Sequence, residues 1–167
     1  MAPTIANIRL GQCVITYDGV DLGYTNGGVE VTVKNDVQEV MIDEYGSAPI
    51  RTYHKGTRIE VKAKLSEYAY ATLVKVINGA VLNEGNTVDE VTIGQKAGIA
   101  LAGALLKLHP SLVSGTSQDV ELYKAIVIGE SKFPFKLEGE TTYEVTWVAL
   151  IDESKANGSL LARLGIA

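Results

Sequence analysis

Apolar and polar residues alternate one for one along much of this chain, the period-2 pattern of strands with one buried face. The alternation is clearest in Val29-Glu30-Val31-Thr32-Val33-Lys34 and in Arg58-Ile59-Glu60-Val61-Lys62-Ala63-Lys64-Leu65. Asn35-Asp36 breaks the first of these, Val37 to Asp43 resumes an extended pattern, and Ile50 to His54 is able to pair back. Asn35 to Thr57, rich in charge, Gly and Pro, therefore reads as a long decorated loop inside the first hairpin. Further strands are expected at Gln12 to Asp18, Val88 to Ile93, Leu105 to His109, Val120 to Ile128 and Thr141 to Ile151. In the last of these Tyr143, Val145, Trp147 and Ala149 share one face. Asp18 to Gly23 reads as a turn and Asn26-Gly27-Gly28 as a chain reversal.

One segment has helical spacing instead. Ala69, Leu73, Val76 and Ile77 form an apolar stripe over residues 67–78, with Ser66 as N-cap, Glu67 in the first turn and Asn78-Gly79 as the stop. Gly94 to Gly103 fits no period, and Ser111 to Ser117 is a polar connection. Residues 1–10 read as an extended arm, and residues 153–167 as a C-terminal arm in which Ser159 to Leu164 could form a short helix. The pattern predicts a mainly β fold with one flanking helix, in a single domain over residues 1–167.

Composition changes this picture little. The chain is 46% apolar and 21% charged, a globular balance, with a formal net charge of −5. A net acidic chain without a Lys/Arg cluster argues against direct binding to nucleic acid or anionic membranes. Cys13 is the only cysteine, which excludes an internal disulfide, and its place in a strand pattern makes it a small buried hydrophobe. The first ten residues lack the basic start and apolar run of a signal peptide, and the most apolar window, Ala97 to Leu106, is too short to span a bilayer. A soluble protein is expected.

Candidate chemistry is sparse. His54 and His109 are the only histidines, and neither belongs to a zinc spacing. No phosphate-binding glycine loop or nucleophile elbow is present, and Gly94-Gln95-Lys96-Ala97-Gly98 lacks the spacing of one. The acidic neighbours Asp18/Asp21, Asp43/Glu44, Asp119/Glu121 and Asp152/Glu153 match no calcium loop and read as solvated strand ends and turns. Trp147 reads as core, and Asn157-Gly158-Ser159 as an accidental glycosylation sequon. No catalytic, cofactor-binding or metal residue is assigned, so assembly is favoured over enzymatic function.

The succession of several stretches carries a resemblance. They are Val14 to Val31, Asp43-Glu44-Tyr45-Gly46-Ser47-Ala48-Pro49 followed by the 58–65 strand and Ser66-Glu67, Gly94 to Gly98, Leu108-His109-Pro110, and a closing Gly158 to Gly165. In this order the chain is similar to the tail tube (major tail) proteins of tailed bacteriophages. The resemblance covers nearly the whole chain, although no single motif in it is diagnostic.

The resemblance implies a β-sandwich or barrel-like subunit with a flanking helix, shared with the tube protein of type VI secretion systems. Six subunits would form a ring, and stacked rings a hollow tube, with one sheet of each subunit joined to its neighbours around the lumen. Alternating polar residues of the two long strands then become the lumen-facing candidates: Glu30, Thr32, Lys34, Arg58, Glu60, Lys62 and Lys64. The long loop would contact the adjacent ring through Asp43, Glu44, Tyr45, Ser47, Pro49, Arg51 and Tyr53. The partners implied are other copies of the chain, a tape measure protein, tail tip or baseplate and terminator proteins, with or without a sheath. DNA would pass through the lumen without specific binding, in a virion tail assembled in the cytoplasm of a bacterial host. A ring of six would carry about six times the chain's charge, discouraging DNA from adhering, yet the four bases among the lumenal candidates run against a purely repulsive wall. Two other readings stay open: a secretion-system tube subunit of the same fold, and a monomeric β-sandwich binding module with aromatics exposed on one sheet face.

Overall fold

A computed structural model describes residues 12–85, 89–133 and 141–165. The expected arm at residues 1–10, Val88 at the start of one expected strand, and the last two residues of the C-terminal arm lie outside them. The described chain is mainly β, with antiparallel sheets and one α-helix.

The strands are β1 (Cys13–Tyr17), β2 (Val20–Asp21), β3 (Thr25–Val40), β4 (Arg51–Leu65), β5 (Ala80–Asn83), β6 (Glu90–Ile93), β7 (Ala104–Pro110), β8 (Val120–Ile128), β9 (Tyr143–Leu150) and β10 (Ala162–Leu164). The main sheet runs β2-β1-β7-β8-β9-β4-β3, and β10 pairs with β8 on the edge that β9 has left. A separate ribbon pairs β5 with β6. β5 had no counterpart in the sequence pattern; its four residues are too short for a periodic signal.

The sheet curls around one apolar face. Tyr17 on β1 and Trp147 on β9 are three ladder steps apart, about 14 Å on a flat sheet. Their ring centroids nevertheless lie 6.1 Å apart, and the Tyr17 hydroxyl donates to the Ala125 carbonyl at 2.9 Å. Ile15, Val61, Leu65, Leu106, Leu122, Val145 and Trp147 fill the resulting core, barrel fashion. The tight Tyr17–Val20 hairpin uses Asp18-Gly19, both at positive φ, as a two-residue turn matched to strand twist.

Several boundaries differ from expectation. The helix, α1, spans Tyr70–Val76 only, and Ala69 rather than Ser66 precedes it. The Ser66 N–H donates to the Tyr24 carbonyl, and the Glu67 carbonyl accepts from the Tyr143 hydroxyl, so tertiary bonds hold residues 66–69 extended past the local cap signal. Burial and the neighbouring charge of Glu67 push the Tyr143 hydroxyl up to about 12, which keeps it a donor at all ordinary pH. Leu73 and Val76 are buried and Ile77 packs against the core, as the stripe requires. Leu73→Ala should cost about 2–5 kcal/mol in chemical denaturation; a loss within error would place that side chain outside the core.

Asn26-Gly27-Gly28 does not reverse the chain. Both glycines have positive φ and form a bulge in β3, where three residues stand against Lys64 alone. Residues 162–164 form strand β10 rather than a helix, since β8 offers them an open edge between Val120 and Leu122. The 35–57 segment is mostly not a loop either.

Candidate assembly surface

β3 and β4 make one long hairpin. Their ladder continues from Val29↔Ala63 through Asn35↔Thr57 and on to Val40↔Arg51, leaving only residues 41–50 as the connection. Asn35-Asp36, the expected break, stays in register because the Thr57 hydroxyl donates to the Asn35 side-chain carbonyl at 2.8 Å. Lys55 is the extra residue of a bulge one rung further on. Charge and polarity had signalled a loop. Cross-strand pairing overrides them, because an edge ribbon in water has no face that must be apolar.

β9 accompanies β4 only over Glu60–Leu65. Residues 51–59 therefore have β3 on one side and no strand on the other, and β3 itself is the sheet edge. The hairpin projects from the barrel as a two-stranded ribbon with both edges free of further strands, although near its base Gly56, Thr57 and Ile59 line a groove with Ile151 and residues from the 157–162 segment. Such a ribbon is marginal alone and presents the open edges that proteins normally cover. Val33, Val37, Met41, Tyr45, Ile50 and Tyr53 are all large apolar side chains exposed along it. Their exposure was not legible in the sequence, where the alternating valines simply marked a buried face.

The inter-ring candidates gather here. Asp43, Glu44 and Tyr45 form a single 3-10 turn at the tip, Ser47 and Pro49 follow in the connection, and Arg51 and Tyr53 open β4; all are exposed.

The lumenal candidates lie nearer the barrel on the face of β3 and β4 that points away from the core. Glu30 stands opposite Lys62, Thr32 opposite Glu60, Lys34 opposite Arg58, and Lys64 opposite Glu144 of β9. Like charges at Lys34 and Arg58 are relieved because Arg58 Nε donates to Glu60 Oε1 at 2.7 Å. That bond, aided by the nearby positive charges of Lys34 and Lys62, holds the Glu60 carboxyl below its usual range. The face interleaves three acids, Glu30, Glu60 and Glu144, with four bases, of which Arg58 is ion-paired, to Glu60.

No family model matches the chain, and no curated protein does either. Among the described residues no helix is long and apolar enough to cross a membrane, and no group of three or more His, Cys, Asp or Glu side chains is placed to hold a metal.

Three of the neighbouring acids, Asp119, Glu121 and Asp152, are buried and behave unlike solvated turn residues, whereas Glu153 is exposed as expected. Asp119 has no accessible surface; its carboxylate meets His109 Nδ1 at 2.6 Å and Lys107 Nζ at 3.0 Å. Its two partners are themselves partly exposed, so the carboxylate is covered by side chains that reach solvent. Burial pushes the Asp119 carboxyl up, but the bonds from His109 and Lys107 outweigh it and hold the carboxyl below its ordinary value of 3.8. Glu121 next to it takes both Arg163 Nε at 2.8 Å and Arg163 Nη2 at 2.7 Å, fastening β10 to β8. Asp152 is also buried, with Lys124 Nζ at 3.0 Å. Their burial is not visible in the sequence, because single-sequence spacing cannot bring β7, β8 and β10 side by side.

A carboxyl depressed in the folded state stabilises the fold above its unfolded value and loses that contribution as pH falls through the lower folded value. Wild-type protein should therefore lose stability below about pH 4, and Asp119→Asn should flatten that part of the curve; parallel curves would show that Asp119 is not the group titrating. Cys13 is half-buried beside this cluster, and burial pushes its thiol up, away from reactivity.

Proposed function

We propose that this protein is the tube subunit of a bacteriophage tail: six copies close a ring, and rings stack into a conduit for the genome. The observation that carries the reading is the projecting β3–β4 ribbon, with two open edges and a row of exposed apolar side chains. A monomer gains nothing from it; a neighbouring copy completes it. Joining β3 to the next subunit's sheet would satisfy the edge and curve the shared sheet around a lumen. The face bearing Glu30, Thr32, Lys34, Arg58, Glu60, Lys62 and Lys64 would then meet the passing DNA. Its interleaved charges offer no continuous basic track, so the duplex would slide without a specific hold. The tape measure, tip or baseplate and terminator proteins would bound the tube, and the virion would be its location.

Negative-stain electron microscopy of concentrated protein tests this. Rings or tubes with a central hole are expected. Uniform monomers at all concentrations would overturn the reading in favour of a monomeric binding module.

A further inference from the structure

Two surfaces of the molecule are complementary, and they lie at opposite ends. The antiparallel registers place Cys13, Pro110, Val120, Leu150 and the projecting ribbon at one end of the barrel, and Tyr17, Ala104, Leu65 and α1 at the other. At the ribbon's tip Tyr45 is 66% exposed and flanked by Asp43 and Glu44. Residues 41–50 contain those two acids and no base.

The helix end carries an open groove of about 350 Å³ between the C-terminus of α1 and residues 95–104. One side of its lining is apolar, from Ala80, Ala100, Ala102 and Ala104 with the exposed Ile99 and Leu101. The other carries Asn78, Gln95 and the Lys75–Asp18 ion pair, which leaves no net charge there. Gly79 holds positive φ, and a Cβ there would come within 2.9 Å of Gln95 Cγ, so helix exit and groove wall touch at that point. Residues 95–104 contain one base, Lys96, and no acid. Lys96 has no ion pair among the described residues. The groove thus offers what the tip lacks: room for a ring against the alanine side, and in Lys96, which follows Gln95 of the lining, a positive charge with no ion pair among the described residues.

We infer that this groove receives the ribbon tip of a second copy, with Tyr45 seated between α1 and residues 95–104 and Asp43 and Glu44 facing Lys96. An aromatic ring buries a large apolar area at little entropic cost, and charges at the rim set orientation and register. The two surfaces are different patches on opposite ends, so the contact is head-to-tail and repeats along an axis without closing. The ribbon's length carries the tip clear of its own barrel. This inference rests on the stacking in the proposed function and assigns its receiving site.

Charge reversal on the full chain tests it. Asp43→Lys/Glu44→Lys and, separately, Lys96→Glu should each lower the yield of tubes by about tenfold or more while leaving the monomer's melting curve unchanged, because like charges then oppose across the contact. All three substitutions in one chain should restore tube yield to near wild type. Tyr45→Ala should lower it without rescue by any charge change. Variants that polymerise like wild type, or a triple variant no better than the worse of its parents, would overturn the groove assignment while leaving tube formation intact. A wild-type protein that forms no ring or tube would overturn both.

Discussion

Replacing residues 36–56 with a short Asn-Gly turn is expected to give a folded monomer that, under the proposed function, builds no tubes. Every buried apolar side chain of the described residues lies outside that segment, from Ile15 to Leu22 on one side and from Ile59 onward on the other. The excision also removes Val37, Met41, Tyr45, Ile50 and Tyr53, all exposed, so the shortened chain shows less apolar surface to water. Asn-Gly supplies the two positive-φ residues that a tight hairpin needs between Asn35 and Thr57. Thermal unfolding should stay within about 3 °C of wild type, since changes away from the core alter stability by only about 0.5 kcal/mol. Electron microscopy should show no tubes. Tubes of ordinary length would mean that the ribbon is not the assembly contact, and a collapse of the melting temperature would make it part of the fold.

The largest effect on stability is expected at Trp147. This side chain is wholly buried at the centre of the curled sheet, stacked at 59° against Tyr17 and flanked on its own face by Val145 and Ala149. It bridges strands that are three ladder steps apart, so its removal opens a cavity that no single neighbour can fill. Trp147→Ala should cost about 3–5 kcal/mol. For a domain of this size that is a fall of roughly 10 °C or more in melting temperature. Trp147→Phe should recover much of the loss by refilling the volume. The indole nitrogen has no hydrogen-bond partner among the described residues, so that replacement removes an unsatisfied donor along with the bulk. An unchanged melting temperature in the alanine variant would deny the curled packing.

Where local pattern and tertiary structure act in the same direction, the sequence was informative. Val120–Ile128 matched its expected span, and the alternation of Tyr143, Val145, Trp147 and Ala149 placed that face in the core, because each strand is buried on one side along its length. The helix was legible from Leu73 and Val76 but started late, since Tyr24 and Tyr143 claim the backbone at Ser66 and Glu67. The ribbon failed for the opposite reason. Its strands run into water, so neither face imposes a period, and charged residues that usually mark a loop sit there as rungs of a ladder. At the candidate surface, individual residues were identifiable as polar and exposed; their register partners and the unpaired edges were not, because both depend on where β9 stops.

That stopping point also shapes how the chain must fold. β4 pairs locally with β3, but its other edge waits for β9, with residue 60 meeting residue 148. β1 similarly waits for β7, and Val14 meets His109. During synthesis the first hairpin emerges long before the strands that close the barrel around it. Closure is therefore dominated by contacts distant in sequence, which places folding in the slow regime of about milliseconds to seconds typical of β topologies. Through that interval the 60–65 edge of β4 remains open to another nascent chain. Raised temperature or overexpression should accordingly trap this protein as strand-swapped aggregates through that edge, before any ordered assembly begins.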